Sequence, residues 1–167
     1  MKNILVLDGK KECAYEVQIQ YKRPLFNKMI HIQSSKDIHA LMRDYIADLD
    51  LDFKEYIWLI CLSRANKVLS VSCMGKGTVE GVAVSVSEII QIALLVHASG
   101  VVLVHNHPSG ALKPSTLDKY LTKKVMLCAS LYDILLLDHM ILTTESYLSM
   151  ADDCIMPIEN IKNYFKM

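Results

Sequence analysis

The sequence lacks the features that mark several special classes of protein. No run of residues approaches the roughly 18 apolar residues of a membrane-spanning helix, and the N-terminal stretch MKNILVLDGKKE is too short in its apolar part for a signal peptide. Only 6 glycines and 4 prolines occur in 167 residues, which excludes collagen-like and Pro/Gly-rich disordered chains. We therefore expect a cytoplasmic protein with no membrane partner.

Neither positive nor negative charge dominates, because 18 Lys and Arg residues balance 18 Asp and Glu residues. Net charge thus gives no support for nucleic acid as a partner, although a local basic patch remains possible. The five cysteines contain no C-x-x-C pair, which argues against a zinc knuckle or a thioredoxin-type site. They are scattered along the chain, at Cys13, Cys61, Cys73, Cys128 and Cys154. Several of them stand in apolar runs, as buried free thiols do.

Apolar residues make up 52% of the chain, enough to fill the core of one globular domain. Helical spacing predicts helices in SSKDIHALMRDYIADLDLD, SVSEIIQIALLVHAS and PSTLDKYLTKKVMLCASL. Alternating or apolar runs predict strands in CAYEVQIQYK, EYIWLICL, KVLSVSCMG, GVVLVHNH, DILLLDHMIL and YLSM. Because helices and strands alternate, the fold class is α/β or α+β with a mixed sheet.

The helices differ in the faces that they are expected to bury. The second is apolar nearly all round, which predicts burial within the domain. In the third, one stripe is expected to pack on the core, formed by Leu117, Leu121, Val125, Cys128 and Leu131. The polar turn 63–67 between the second and third predicted strands indicates a hairpin.

The stretch VVLVHNHPSGALKPSTLD ends an apolar strand with two histidines. If the extended conformation continues to residue 107, His105 and His107 point to the same side and can share a metal ion. Asp118 follows in the first turn of the next helix, where the intervening loop can return it to the histidines. Two imidazole nitrogens and one carboxylate leave a fourth tetrahedral position open, as in catalytic rather than structural zinc sites.

The same residues also have ordinary structural interpretations. Ser115 and Asp118 have the spacing of a helix-capping box, and a pair of histidines can simply end a strand. The complete pattern H-x-H-x7-S-x2-D is rare in shuffled sequences of this composition, so chance explains it poorly. The two interpretations are compatible, since a ligand carboxylate on a capped helix turn is held rigidly.

HNHPSG followed by PSTLD resembles the metal-binding signature of the JAMM (MPN) metalloproteases, in the form found in RadC-like proteins. The resemblance runs from EYIWLICLSRANKVLS to YLSMADD, about two thirds of the chain. It implies a single MPN-type domain with a curved mixed sheet flanked by helices. It also implies one zinc ion held by His105, His107 and Asp118, and a serine at the place of Ser115 that supports an oxyanion.

A glutamate from an earlier strand completes the pattern implied by the resemblance, holding and deprotonating the water. Glu55 opens the strand EYIWLICL, where the family places this residue, and is preferred. Glu80, in a glycine-bearing loop, and Glu88, at a helix start where a capping role suffices, remain alternatives.

The domain division expected from these observations has three parts. Residues 1–50 form an N-terminal strand and helix extension packed on the core, 51–153 the RadC-like domain, and 154–167 a C-terminal tail. Full-length bacterial RadC-like proteins usually carry an N-terminal helix-hairpin-helix-like region, whereas the first fifty residues here predict only a strand and a helix. The usual Pro-Arg pair before the glutamate of the buried helix is replaced by Val86 and Ser87.

Three functions are compatible with the sequence. The preferred one is a zinc-dependent peptidase or isopeptidase that hydrolyses an amide bond in a peptide or protein. The second is a DNA-repair or nucleic-acid-associated accessory, suggested by the traditional naming of the relatives. The third is an inactive MPN domain that serves as a binding module, against which the intact ligand set argues.

Other polar residues have less specific roles. His97, in an apolar helix, is expected to be a core histidine, and His31 and His39 are expected at the surface. Asp138 and His139 interrupt an apolar strand, which is costly unless they are hydrogen-bonded or lie near the site. The basic helix face of Lys119, Lys123 and Lys124 is expected to be a solvated face rather than a phosphate contact.

Overall fold

A computed structural model describes residues 5–7, 10–12, 21–22, 25–46, 51–78 and 81–157. In chain order its elements are β1 (Leu5–Leu7), β2 (Lys10–Glu12), a 3-10 turn (Phe26–Lys28), α1 (Ser35–Tyr45), β3 (Tyr56–Leu62), β4 (Val68–Lys76), α2 (Val86–Leu95), β5 (Gly100–Asn106), α3 (Thr116–Ser130), β6 (Leu135–Leu142) and β7 (Tyr147–Ser149). None of the helices within these ranges has the length and apolar character needed to cross a bilayer.

Five of the strands form one mixed sheet in the order β4-β3-β5-β6-β7. β5 lies at its centre, antiparallel to β3 and parallel to β6. The parallel pair requires a crossover, and α3 supplies it. β1 and β2 form a separate antiparallel pair. The predicted α/β class with a mixed sheet is thus confirmed, and the end of the most enclosed strand carries the two histidines.

Apolar side chains from β3 and β5 fill the core on both faces of the sheet, which explains why these strands read as continuous apolar runs. On one face they pack against α2 and α3, in a cluster that includes Leu59, Cys61, Val101, Leu103, Ile89, Ala93, Val125 and Ala129. On the other face they pack against α1, in a cluster that includes Trp58, Ile60, Val102, Val104, Ile38, Met42 and Met140.

α1 and the β3–β4 hairpin lie where the sequence predicts them, although α1 ends at Tyr45 and residues 51–52 of the same stretch lie in a turn. Ser34 and Asp37 form a capping box at the start of α1, and Ile38 and Met42 are buried. Ser63 and Lys67 close the turn of the hairpin through a backbone hydrogen bond of 2.9 Å. The predicted strand at 13–22 lies largely outside the described residues, and Tyr21 and Lys22 are not in a strand.

Two expectations about helix faces were only partly right. α2 is not buried all round, because Leu94 and Leu95 are exposed. Of the stripe predicted in α3, Leu121, Val125 and Cys128 pack in or against the core, whereas Leu117 and Leu131 are exposed. The buried residues of α3 are Asp118, Thr122, Val125 and Ala129. The helix turns a carboxylate and a hydroxyl towards the sheet, so its orientation differs from the one that would bury the most apolar side chains.

Several expectations about individual residues also need correction. His97 is exposed, with a left-handed φ of 56°, at the end of α2, so it is not a core histidine. His31 is exposed as expected, whereas His39 is half-buried and stacks on Tyr147. Among the described cysteines only Cys61 is buried, and burial raises the pKa of its thiol to about 11.

One substitution at two positions tests this packing. Leu103 in β5 is fully buried, whereas Leu117 in α3 is 77% exposed. We expect Leu103→Ala to lower the free energy of unfolding by about 2–5 kcal/mol, because it leaves a cavity in the core. Leu117→Ala is expected to change it by less than about 0.5 kcal/mol. Urea denaturation measures both, and equal losses would contradict the assignment of the two faces.

Candidate metal centre

The end of β5 sends alternate side chains to opposite faces of the sheet, as in any extended strand. His105 is an even number of residues from Val101 and Leu103, so its side chain lies on the same face of the sheet and faces α3. A backbone hydrogen bond from His107 to the Leu142 carbonyl continues the strand pairing past Asn106. The predicted arrangement is therefore present: the two rings lie on one side, with their Nε2 atoms 2.9 Å apart.

Asp118 reaches the histidines from the first turn of α3. Its Oδ1 lies 3.3 Å from Nε2 of His105, and its Oδ2 lies 3.5 Å from Nε2 of His107. Ser115 forms a capping box with it: the Asp118 amide donates to the serine Oγ at 3.1 Å, and the Ser115 amide donates to Oδ2 at 2.6 Å. The capping role of Asp118 is thus compatible with a ligand role, because the cap orients the carboxylate towards the imidazoles.

The donor atoms of this cluster suit a metal ion. One ligand atom from each of His105, His107 and Asp118 lies within 4.8 Å of the others. Nδ1 of His107 lies 2.7 Å from the Ala111 carbonyl oxygen, which can only accept, so in the neutral ring Nε2 carries the lone pair. Electron-rich atoms that converge in this way need a cation or a proton between them, and two imidazoles with a carboxylate are common ligands of zinc.

The electrostatics of the cluster also favour a positive charge. Burial tends to raise the pKa of Asp118, but the adjacent imidazoles of His105 and His107 and the hydrogen bond from Ser115 outweigh it and hold the pKa well below its usual range. The hydrogen bond with Asp118 raises the pKa of His107. The carboxylate therefore stays ionised near neutral pH and can compensate a cation at the imidazoles.

Asn106, which the sequence did not single out, anchors the segment that carries Glu55. It is fully buried on the face opposite to the histidines. Its Nδ2 donates to the carbonyl oxygens of Leu51 and Lys54 at 2.6 and 2.7 Å, and its Oδ1 accepts from the Tyr56 amide at 2.7 Å. The available sequence signal was an asparagine between two histidines at the end of an apolar strand. Such an amide, when fully buried, must satisfy all its polar atoms through hydrogen bonds.

Glu55 lies immediately before β3 and lines the same cleft as the three candidate ligands. Extending the antiparallel register, in which Ile57 pairs with His105, places Glu55 opposite His107. Burial raises the pKa of Glu55, and the nearby His105 and His107 partly offset this. Glu88 is exposed in the first turn of α2 and is absent from the cleft lining, and Glu80 lies outside the described residues.

The interrupted strand β6 supplies two further polar residues. The buried Asp138 accepts hydrogen bonds from the Ser149 hydroxyl, the Ala151 amide and the His139 amide, at 2.6, 2.9 and 2.7 Å. It thus ties β6 to the residues around the end of β7. His139 is fully buried, with Nε2 2.9 Å from Nδ1 of His105. Both meet the expectation that they are hydrogen-bonded, and His139 also contacts the candidate centre directly.

The cleft has a volume of about 640 Å³. The candidate ligands, Glu55 and Ser115 line one part of it, and apolar side chains from residues 82–86 and from α3 line another part: Val82, Val84, Val86, Leu117, Tyr120 and Leu121. Of the predicted basic face, the exposed Lys124 also lines the cleft. The centre therefore lies in an open cleft rather than in a sealed interior, where a structural metal site lies.

Comparison with known proteins agrees with the geometry. The model of the RadC-like JAB domain family matches residues 32–155. A UPF0758 protein of Flavobacterium johnsoniae is 38% identical over 128 residues, an alignment that covers 77% of this chain and 55% of that protein. The chain thus spans about half the length of this curated relative. Because the family match includes the sheet, all three helices and every candidate ligand, the chain belongs to the RadC-like JAB domain family.

Proposed function

We propose that the protein is a zinc-dependent hydrolase of an amide bond, either a peptide or an isopeptide bond. One observation supports this most directly: the His105, His107 and Asp118 donor atoms converge within 4.8 Å of one another in an open cleft that Glu55 also lines. A structural zinc site would be closed by a fourth protein ligand. Within the described residues, the cluster has three members.

The three candidate ligands hold the metal in this proposal, and Glu55 and Ser115 handle the proton and the developing charge. Zinc bound there supplies Lewis-acid activation of a water molecule and of the scissile carbonyl. Glu55 removes the proton of the attacking water and passes it to the leaving nitrogen. Its raised pKa suits this role, since an acid–base group works best with a pKa closer to the operating pH.

We propose that Ser115 stabilises the oxyanion. Its Oγ accepts the Asp118 amide as a helix cap, and because a hydroxyl both accepts and donates, its proton is available to a group in the cleft that Ser115 lines. Such a donor acts where negative charge develops on the carbonyl oxygen. The capping bond fixes the position of the oxygen without using its proton.

The walls of the cleft indicate the kind of chain that enters it. Apolar side chains lie on both sides, with Leu117 77% and Tyr120 62% exposed, and Lys124 is the one cation among the lining residues. An extended polypeptide with apolar side chains next to the scissile bond would cover these residues, and we propose such a segment as the substrate.

Metal analysis tests the proposed centre. We expect protein purified without a histidine tag to contain about one zinc per chain, and His107→Ala and Asp118→Ala to lose it, because each removes a ligand. His97→Ala is the matched control, since this histidine is exposed and lies outside the cluster. Wild-type protein without stoichiometric zinc under non-chelating conditions would refute the proposal.

A second prediction concerns the base. We expect Glu55→Gln to retain zinc but to lower hydrolysis of a mixed peptide library by about 10²–10⁴-fold, the usual contribution of a general base. Mass spectrometry of the products measures turnover. Glu88→Gln is the control and should behave as wild type. Unchanged turnover in Glu55→Gln would move the assignment to Glu80 or Glu88.

Two substitutions at one position separate the oxyanion role of Ser115 from its capping role. Both Ser115→Ala and Ser115→Gly remove the hydroxyl, and we expect kcat to fall by about 10²–10³-fold in each. Alanine is a poor helix cap and costs about 1 kcal/mol of stability, whereas glycine costs a few tenths. Paired measurements of kcat and thermal unfolding distinguish the roles: a glycine variant with wild-type kcat would leave Ser115 as a cap alone.

A further inference from the structure

A chain of hydrogen bonds runs through the core from α3 to His105. Oγ1 of Thr122 lies 2.6 Å from the carbonyl oxygen of Asp118 and 2.7 Å from Nδ1 of His139. Nε2 of His139 lies 2.9 Å from Nδ1 of His105. Thr122 and His139 are fully buried and His105 is 1% exposed, so bulk water does not compete for these bonds.

The direction of each bond follows from the chemistry of its partners. The Asp118 carbonyl has no proton to give, so the Thr122 hydroxyl donates its single proton there. The Thr122 oxygen can then only accept from His139, which places a proton on Nδ1 of that ring. A neutral imidazole carries a single N–H, so a His139 ring with its proton on Nδ1 offers Nε2 as an acceptor, and the proton in the final bond then belongs to Nδ1 of His105.

This direction leaves Nε2 of His105 bare and facing Asp118 and His107, as a metal ligand must be. His107 reaches the same state by a separate route, because the Ala111 carbonyl holds its Nδ1 proton. Both imidazoles thus have Nδ1 engaged as a donor to the protein and Nε2 directed to the centre. Two separate acceptors, Nε2 of His139 and the Ala111 carbonyl oxygen, thus favour the proton on Nδ1 in both rings. Side-chain packing alone does not account for this agreement.

We propose that Thr122 and His139 are positioning residues, which fix the proton of His105 on Nδ1 and so present its Nε2 to a metal ion. This proposal rests on the proposed metal centre. It adds a hydrogen-bonded connection between two of the candidate ligands, Asp118 and His105. Asp118 contributes its carboxylate to the centre and its carbonyl oxygen to the far end of the hydrogen-bond chain. The start of α3 therefore sets both the position of one ligand and the protonation pattern of another.

A buried polar chain of this kind has a cost that suits a functional role. Hydroxyl and imidazole groups in a core gain little over apolar side chains of the same shape, and they are destabilising whenever a partner is missing. Partners of metal-bound histidines orient the ring and raise its basicity, and their loss typically lowers metal affinity 10–100-fold.

The first experiment compares Thr122→Val with Thr122→Ser. Valine keeps the shape but removes the acceptor for His139, whose Nε2–H tautomer can then force the proton of His105 onto the ligand nitrogen. We expect zinc affinity, measured by competition with a chromophoric chelator, to fall about 10–100-fold in the valine variant and to stay within about threefold of wild type in the serine variant, which retains the hydroxyl. Equal affinity of valine and wild-type protein would overturn the proposal.

The position of the His105 proton can also be measured without bound zinc. Nitrogen-15 NMR of the imidazoles distinguishes the two neutral tautomers, and in the metal-free wild type at a pH above the ordinary histidine pKa we expect His105 to carry its proton on Nδ1. A wild type that binds no zinc would refute the metal centre, while the NMR spectrum would still decide the hydrogen-bond chain by itself. Finding His105 protonated on Nε2 would show the chain to run in the opposite direction.

A third pair of variants covers the case in which Thr122→Val fails to fold. His139→Gln retains a carbonyl acceptor for His105 and an amide donor for Thr122, whereas His139→Leu retains neither. We expect the glutamine variant to bind zinc at least tenfold more tightly than the leucine variant, given the usual effect of such partners. Indistinguishable affinities in two folded proteins would mean that His139 serves packing alone.

Discussion

The alternation of side chains over three residues at the end of β5 is the constraint on which the candidate site depends. His105 and His107 face α3, and Asn106 between them faces the other side of the sheet. The ring nitrogens meet at 2.9 Å because the residues are two apart in an extended strand. Asn106 simultaneously binds the backbone of the segment that carries Glu55. One short segment therefore fixes the proposed ligands and the proposed base relative to each other.

The N-terminus of α3 is the second fixed point, and Asp118 is central to it. Its carboxylate accepts the Ser115 amide and faces both imidazoles, while the positive end of the helix dipole favours its ionised form. A free aspartate side chain would lose rotamer entropy on binding a metal. The capping box removes that freedom on folding, so the cap and the proposed ligand role reinforce each other.

Much of this arrangement was predictable from sequence, because it depends on local patterns. Strand parity and capping-box spacing were enough to bring His105, His107 and Asp118 together, and apolar runs located the strands. The role of Thr122 was not predictable, since a threonine within a helix has no local signature and its partner His139 lies on another strand. Asn106 stands out between two histidines, but its backbone partners before and at the start of β3 were not predictable. The face of α3 was predicted only in part for the same reason: local apolar spacing favoured Leu117, whereas long-range polar contacts favoured Asp118 and Thr122.

This orientation of α3 is unfavourable for the stability of the fold alone. Turning Asp118 and Thr122 inward exposes Leu117 and Tyr120 at the wall of the cleft. Burying polar groups while leaving large apolar groups exposed is the reverse of what folding alone favours. The hydrogen bonds to His139 and Ser115 offset the first cost. The second is offset only when another molecule covers the exposed side chains, and the orientation of the helix therefore supports the proposed substrate, an extended segment with apolar side chains.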